Sequence, residues 1–304
     1  MSDPVENFRI QGVEIVNTFA EAFSIQVARV IITAFSTRWA HIAATEMCGN
    51  ATSVIACDAE AAIEKVLHPE ETPDGRAGVA VLVCAFSRDT LQKSLQNRVG
   101  QCVLTCPSTA CYNGLPAGKP EKRVQVGGTL RYFGDGLQIS KQLGGRRYWR
   151  IPVMDGEFVC EEMFHTMSGV AGGNLILCGT DLPATLNAAE TAANAMRNCD
   201  GVILPFPGGI VRSGSKVGSK YRKLRASTND VFCPMSRPYT LSELSSGCNA
   251  AYEIVIDGLT REAVQEAMRT GLHAALKCPG LLRITAGNYG GQLGKFHFHL
   301  KDLL

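Results

Sequence analysis

The chain has 304 residues, a formal net charge of +2, 45% hydrophobic residues and 19% charged residues. These values are typical of a soluble globular protein that buries one large core or two modest ones. No run approaches eighteen uninterrupted apolar residues, and the beginning, MSDPVENFRI, lacks the order of a signal peptide, so we expect a cytoplasmic protein without a membrane span.

Strand and helix patterns alternate in the first half of the sequence. IQVARVIITAF at 25–35 predicts a strand, and STRWAHIAATEM predicts a helix that begins after a Ser36 cap. TSVIACD and GVAVLVCAF predict two further strands, separated by the turn-rich HPEETPDGRAG. RDTLQKSLQNRVGQCVL predicts a second helix.

The second half repeats the order strand, helix, strand, strand, helix, strand. Its segments are NLILCG, LPATLNAAETAANAMRN, GVILPF, YEIVIDGL, TREAVQEAMRTGLHAAL and LLRITAG. This split βαβ order predicts an α+β fold of two ferredoxin-like lobes related by duplication, each an antiparallel sheet with both helices on one face. We place the lobes at 1–152 and 153–304, with the boundary just after an irregular segment, 112–149. Within that segment, KRVQVGGTLRYFGDG predicts an inserted hairpin.

A long basic connection, FPGGIVRSGSKVGSKYRKLRAST at 206–228, lies between two predicted strands of the second half. Long ordered loops are usually functional, and its glycines allow backbone amides to approach a ligand. It matches neither a Walker loop nor GxGxxG. The pattern predicts an anionic small molecule as ligand, bound by Gly208, Gly209, Arg212, Ser213, Ser215, Lys216, Ser219 and Lys220.

Two other interpretations of this connection remain open from the residues. One is a solvated basic loop without a ligand. The other is a nucleic-acid site, which is disfavoured because Tyr221 is the only aromatic residue within the basic run and single-strand binders need stacking platforms.

Two further glycine-rich segments, SGVAGGN at 168–174 and TAGNYGGQLG at 285–294, adjoin predicted strand ends. Each combines glycines with an asparagine, and the second adds a tyrosine that can lie against a ring. Simple turns are the alternative interpretation. If all three segments line one cleft, the additional substrate-binding residues are Gly172, Gly173, Asn174, Asn288 and Tyr289.

Metal ligation is not expected. The twelve cysteines include no CxxC pair, and the chain is neither short nor secreted, so reduced thiols are predicted. His297 and His299 in KFHFHL alternate along a predicted strand and face one side, as two ligands would. Without a third ligand in view, two partly exposed strand histidines are the favoured interpretation.

Several stretches, taken together in order, resemble the formylmethanofuran:tetrahydromethanopterin formyltransferase family. They are TFAEAF, TSVIAC, EETPDGR, GQCVLTCP, FPGGIV, SKVGSK, ASTND, YEIVIDGL and ITAGNYGGQLG, and the resemblance runs from Gly12 to Leu304. RSGSKVGSKY and FHFHL are more similar to the methylotrophic bacterial branch, whose enzyme is the formyltransferase subunit of a formyltransferase/hydrolase complex.

The resemblance implies a reversible formyl transfer between methanofuran, or a methylofuran-type carrier, and tetrahydromethanopterin. It implies two ferredoxin-like lobes, a homotetramer or a subunit of the complex, and neither metal nor tightly bound cofactor. Both coenzymes are anionic substrates with flat rings, which suits arginine and backbone amides, and no nucleic-acid or membrane partner is implied. We add Thr228 and Asn229 of ASTND to the substrate-binding residues.

Glu253 in YEIVIDGL is the candidate catalytic residue. On the residues alone, an exposed glutamate at the end of a strand is the favoured interpretation, whereas the resemblance implies a functional glutamate at this position. Burial beside a cleft would raise its pKa toward neutrality. Its role as proton donor, electrostatic stabiliser or both is left open, and so is the alternative that the chain is mainly a structural subunit of the complex.

Overall fold

The computed structural model describes residues 6–116 and 122–304. It divides into two compact units, one of residues up to Ser24 together with Val170–Leu304, the other of Ile25–Gly169. These units are not the halves 1–152 and 153–304 predicted from the sequence, because the first strands are part of the unit that holds the C-terminal residues. Residues 1–5 and 117–121, which enter the expected N-terminus and irregular segment, lie outside the described residues.

The helices and strands of the described residues are labelled in chain order. The α-helices are α1 Thr37–Cys48, α2 Arg88–Arg98, α3 Gly127–Leu130, α4 Leu182–Met196 and α5 Arg261–Ala275. The strands are β1 Phe8–Ile10, β2 Val13–Ile15, β3 Phe19–Thr33, β4 Glu60–Leu67, β5 Gly78–Ala85, β6 Ala110–Asn113, β7 Arg123–Gln125, β8 Ile139–Leu143, β9 Arg146–Val153, β10 Gly156–Glu161, β11 Met163–His165, β12 Met167–Gly179, β13 Val202–Ile203, β14 Lys216–Val217, β15 Ala226–Ser227, β16 Ala250–Gly258, β17 Leu281–Thr285 and β18 Phe296–His299.

The unit that contains Val170–Leu304 has a mostly antiparallel sheet. Its strands β13, β16, β12 and β17 lie side by side in that order, each antiparallel to the next. Strand β2 pairs in parallel with β17, and β18 pairs with residues 19–22 of β3. Helix α4 follows β12, and helix α5 follows β16, so the predicted order of strands and helices in the second half is confirmed.

The unit Ile25–Gly169 has the same neighbour order. Strands β4, β5, β3 and β6 lie side by side and antiparallel, with residues 26–33 of β3 facing β5. Strand β10 joins β6 in parallel, and β9 and β8 extend the sheet antiparallel. The fold is therefore a mixed α+β fold with mostly antiparallel sheets.

Helix α5 shows why the sequence forms these elements. The Thr260 hydroxyl accepts a hydrogen bond from the backbone N–H of Ala263, which caps the beginning of the helix. Val264, Met268 and Leu272, spaced by one helical turn, are fully buried in the core of this unit. Burial of each such side chain stabilises the fold by roughly 1.5–3 kcal/mol.

Three local predictions were wrong. TSVIACD forms turns instead of a strand, and the strand lies at Glu60–Leu67. KRVQVGGTLRYFGDG contains a short strand followed by helical turns, and the hairpin is formed by β8 and β9. SGVAGGN is not a loop, since it lies within the long strand β12, which has a bulge between Val170 and Gly173.

The helices were compared with the length and apolar content that a membrane span requires. None of the helices in 6–116 and 122–304 has the length and apolar content needed to span a bilayer.

Candidate active site

Glu253 lies in the middle of β16, where its backbone is held from both sides. It faces Ile176 of β12 in the sheet register. On its other side, the backbone N–H of Val211 donates to the carbonyl of Glu253 at 2.7 Å, and the N–H of Glu253 donates to the carbonyl of Val211 at 2.9 Å. The long connection 206–228 is thereby joined to the strand at the candidate catalytic residue.

The Glu253 side chain lines a small cavity of about 30 Å³, which has room for about one water molecule. Burial raises the pKa of this carboxyl to about 7. A carboxyl with this pKa can both release and accept a proton near neutral pH. The cavity is lined by Ile176, Val211, Arg212, Ser213, Gly214, Asn229, Phe232, Cys233, Ala251, Tyr252 and Glu253.

A second, larger cavity of about 460 Å³ shares a wall with the first. Val211, Arg212, Ser213 and Tyr252 line both. The remaining lining of the larger cavity is largely apolar and comprises Leu186, Glu190, Phe206, Pro207, Gly208 and Ile210. Its volume lies in the range of small-molecule sites. One stretch of the basic connection, Val211, Arg212 and Ser213, therefore borders both the larger cleft and the cavity of the half-buried Glu253.

The basic connection is confirmed as a long, mostly irregular segment, with a two-residue hairpin of β14 and β15. Lys216 forms an ion pair with Asp230. In the described part of the chain no ion pair involves the other basic residues, and all are exposed: Arg212, Lys220, Arg222, Lys223 and Arg225. The positive charge of this surface is thus largely uncompensated within the unit.

The other predicted residues of this connection occupy varied positions. Gly208 has a φ of +63° with open space where a Cβ would stand, whereas Gly209 is buried against Leu204. Ser215 is exposed, and the Ser219 hydroxyl accepts from the N–H of Tyr221 within a turn.

Two further predicted residues, Thr228 and Asn229 of ASTND, lie at the end of the connection. The Thr228 hydroxyl donates to the carbonyl of Ser213 at 3.3 Å, and Asn229 lines the Glu253 cavity. The structure therefore brings Arg212, Ser213 and Asn229 to Glu253, and leaves Lys216, Ser219 and Lys220 outside both cavities.

The other two glycine-rich segments meet through Asn174. Its Oδ1 accepts from the N–H of Gly287 at 2.6 Å, and its Nδ2 donates to the carbonyls of Gly172 and Gly287, each at 3.1 Å. Asn288 Nδ2 donates to Thr18 Oγ1 and to the carbonyl of Phe19. Both amide groups are therefore used to hold the chain in place.

Gly173 has a packing role. A Cβ at this position would stand 2.4 Å from Cγ1 of Val264 on α5, so only glycine lets the helix approach the sheet. Gly172, beside it in the bulge, donates its backbone N–H to Asp257 Oδ1 at 3.1 Å.

Tyr289 is half-buried. Burial, together with the charges of Glu253 and Glu21, raises the pKa of this phenol. The sequence analysis named Tyr289 but not Phe232 or Cys233, which line the Glu253 cavity only because the fold brings them to the strand.

The predicted histidine arrangement is confirmed in its geometry. His297 and His299 are partly buried in β18, and both rings contact Phe19, with centroids at 4.7 and 5.2 Å. Within 6–116 and 122–304, no cluster of three or more His, Cys, Asp or Glu residues could hold a metal ion. All twelve cysteines are free thiols, and burial raises the pKa of Cys102 and Cys106, which makes both poorer nucleophiles.

The fold and site define the class as a mixed α+β protein that keeps a titratable carboxylate in the wall of a cleft, as enzymes of acid–base chemistry do. The chain belongs to the formylmethanofuran–tetrahydromethanopterin formyltransferase family. A family model described as formylmethanofuran–tetrahydromethanopterin formyltransferase matches residues 8–153. A second family model, described as the proximal lobe of this formyltransferase, matches residues 156–303. The resemblance drawn from the sequence is confirmed. The two matched ranges meet beside the predicted division at 152.

Curated relatives match nearly the full chain. The formylmethanofuran–tetrahydromethanopterin formyltransferase of Methylobacillus flagellatus is 54% identical over 97% of this chain and 99% of its own. A protein of Methylorubrum extorquens, named as one of the subunits of a formyltransferase/hydrolase complex, is 50% identical, with 99% of this chain and 98% of its own covered.

Two solved structures share the fold. The formyltransferase of Methanosarcina barkeri has a TM-score of 0.92 at 48% identity, and covers 98% of this chain and 100% of its own. A chain in the formyltransferase/hydrolase complex of Methylorubrum extorquens, solved with methylofuran, has a TM-score of 0.95 at 49% identity, with 98% and 99% covered.

Proposed function

We propose that the protein is a formyltransferase that reversibly moves a formyl group between a methanofuran-type carrier and tetrahydromethanopterin. Relatives with about half of their residues identical over nearly the whole chain carry this activity in their names. The observation that carries the proposal for this chain is Glu253, a carboxyl with a pKa of about 7 in the wall of a cavity that adjoins a larger, ring-sized cleft.

The chemistry is an exchange of one amide for another. A nitrogen of one carrier attacks the formyl carbon on the other, and a new C–N bond forms as the carbonyl becomes a tetrahedral oxyanion. The old C–N bond then breaks, and the departing nitrogen gains a proton because an amide anion is a poor leaving group. The attacking nitrogen loses a proton, so no net proton is consumed.

Glu253 is suited to carry the proton in this exchange. At pH 7 a carboxyl with a pKa of about 7 is present in similar amounts as acid and as anion, so it can give a proton to the departing nitrogen and accept one from the attacking nitrogen. No covalent intermediate with the protein is needed, since two coenzymes held together gain much of the rate from proximity.

The exposed basic connection serves the anionic coenzymes. Arg212 and Ser213 border both cavities and are positioned to bind the groups nearest the reacting atoms. Lys220 and the exposed Arg222, Lys223 and Arg225 form a positive approach surface for phosphate and carboxylate tails, and Lys216 and Ser219 beside them add an ammonium group and a hydroxyl as donors. The proposed substrate-binding set is completed by Gly208, which lines the larger cavity, and by Ser215, Thr228, Asn229, Gly172 and Tyr289.

We further propose that each unit is a ferredoxin-like lobe and that the two arose by duplication. The identical neighbour order of the four strands in both units supports this. Assembly is proposed as a homotetramer or with hydrolase subunits, supported by a relative named as a subunit of such a complex. The coenzymes are substrates, and the exchange requires no tightly bound cofactor.

The test is to mix the purified chain with formyl-tetrahydromethanopterin and a methanofuran-type amine and to follow exchange by absorbance. The proposal expects protein-dependent exchange in both directions. Absence of exchange by a folded chain, both alone and assembled with hydrolase subunits, would contradict it and favour a purely structural subunit.

A further inference from the structure

Glu21 of β3 is a buried carboxylate, with 1% of its surface exposed. Instead of a cation, it meets backbone N–H groups of one segment. Its Oε2 accepts from Tyr289 at 2.6 Å and from Gly291 at 2.9 Å, and its Oε1 accepts from Leu293 at 2.6 Å and from Gly294 at 2.5 Å. Within the described residues, no ion pair involves Glu21.

These four bonds define the shape of the segment 287–294. Its backbone amides turn inward around the carboxylate, with Gly290 and Gly291 at φ of +73°, a conformation that favours glycine. Gly294 lies so close that a Cβ there would stand 2.5 Å from the carbonyl of Ala22. A residue without a carboxylate at position 21 would leave some of these part-buried N–H groups without their acceptor, which is costly.

The segment that carries Tyr289 follows a strand two positions across the sheet from the Glu253 strand. Its preceding strand β17 and the Glu253 strand β16 both pair with β12, where Ile176 faces Thr285 on one side and Glu253 on the other. The Tyr289 ring also lies 6.1 Å from that of Phe23, two residues beyond Glu21. The position of the phenol thus depends on the backbone that Glu21 holds.

We propose that Glu21 is a positioning residue for the transfer reaction: its carboxylate organises segment 287–294 and thereby fixes the backbone that carries Tyr289, a residue of the proposed substrate-binding set. The proposal rests on the proposed function for its catalytic consequence but not for its structural part. It assigns a function to a carboxylate that touches neither of the two cavities.

Hydrogen exchange tests the structural part without any substrate. In Glu21→Gln, the amide –NH₂ faces backbone donors, so we expect exchange of the Tyr289, Gly291, Leu293 and Gly294 amides to accelerate at least tenfold while helix α5 keeps its protection. Unchanged exchange in 287–294 would overturn the proposal. If Glu21→Gln does not fold, Glu21→Asp is used, with at least tenfold acceleration expected and unchanged exchange again contradicting it.

Glu64→Gln is the matched control. Glu64 is buried in the other unit and receives two bonds of 2.6 Å from Arg29, so its loss is expected to destabilise that unit without accelerating exchange in 287–294. Equal acceleration by both variants would show a general loss of stability and would overturn the proposal.

A double-mutant cycle tests the catalytic part. Glu21→Gln and Tyr289→Phe are each expected to lower kcat/KM at least tenfold through a higher KM for one coenzyme, with kcat changed less than threefold. If Glu21 acts through Tyr289, the double variant loses no more than the more impaired single variant. Losses that multiply, or full activity in Tyr289→Phe, would overturn the proposal. A wild-type chain without transfer contradicts the proposed function instead, and the exchange experiment still decides the position of the loop.

Discussion

Val211 and Glu253 form an isolated antiparallel pair with two backbone hydrogen bonds of 2.7 and 2.9 Å. The pair joins an irregular connection of the chain to the strand that carries the titratable carboxyl. Because Arg212 follows Val211 directly, this pair also places a guanidinium side chain on the wall of the Glu253 cavity. The geometry leads to five predictions.

The first concerns stability and pH. Burial raises the pKa of Glu253 from its ordinary value of 4.5 to about 7, so the folded protein binds this proton more tightly than the unfolded chain. The destabilisation is absent below pH 4.5, grows as the pH rises and is complete above about pH 7. At pH 8, Glu253→Gln should therefore unfold at a higher urea concentration than wild type. Its free energy of unfolding should be larger by up to about 3 kcal/mol. Equal stability at pH 8 would contradict the burial of an ionised group.

The second prediction concerns Glu21, whose pKa shifts in the opposite direction to that of Glu253. Burial raises its pKa, but four backbone hydrogen bonds outweigh this and leave the pKa below its ordinary value of 4.5. Its stabilising contribution is present above about pH 4.5 and is lost as the pH falls through the lowered pKa. We expect the unfolding free energies of wild type and Glu21→Gln to converge on acidification below pH 4.5. A gap that stays constant with pH would exclude the ionised form as the source of stabilisation.

Arg212 is predicted to bind coenzyme. Arg212→Ala removes a charged donor that borders both cavities, and KM for at least one coenzyme should rise about tenfold to a hundredfold. Lys223→Ala is the control, since Lys223 is exposed and lines neither cavity. Equal rises for both variants would mean that only the overall charge of the connection matters.

Cys233 tests whether a thiol takes part in the chemistry. Its side chain lines the Glu253 cavity, and its Sγ lies 3.5 Å from the Thr228 hydroxyl. A carboxamidomethyl group there fills the cavity, so iodoacetamide should inactivate the wild type. Cys233→Ala should keep kcat within about threefold and resist iodoacetamide, because proximity supplies the rate without a covalent nucleophile. Loss of transfer in Cys233→Ala would instead indicate a thiol nucleophile.

The sequence predicted the elements whose signals are local. Helices α4 and α5 have long apolar periodicity and side-chain caps at Asp181 and Thr260. Glu60–Leu67 was missed because its alanine, glutamate and lysine residues favour a helix, whereas in the fold it pairs with β5 along its length.

Some residues of the candidate site could likewise be named from local stretches of the sequence, and others could not. Arg212 lies in a basic stretch with its own composition, so the sequence indicates it directly, whereas Glu253 was indicated by the resemblance of YEIVIDGL to the family. Glu21 could not be found in this way, since its first hydrogen-bond partner, Tyr289, follows 268 residues later in the chain. Its function exists only once the fold has joined the two segments.

The most direct measurement is the rate of formyl transfer by Glu253→Gln compared with wild type, each with both coenzymes at saturation. Removal of the proton carrier should lower kcat by about a hundredfold to ten-thousandfold and abolish the titration near pH 7 in kcat/KM, while folding persists. Glu14→Gln, which disturbs the ion pair with Arg283 in the same unit, should keep near wild-type kcat. Equal kcat for Glu253→Gln and wild type would contradict the account.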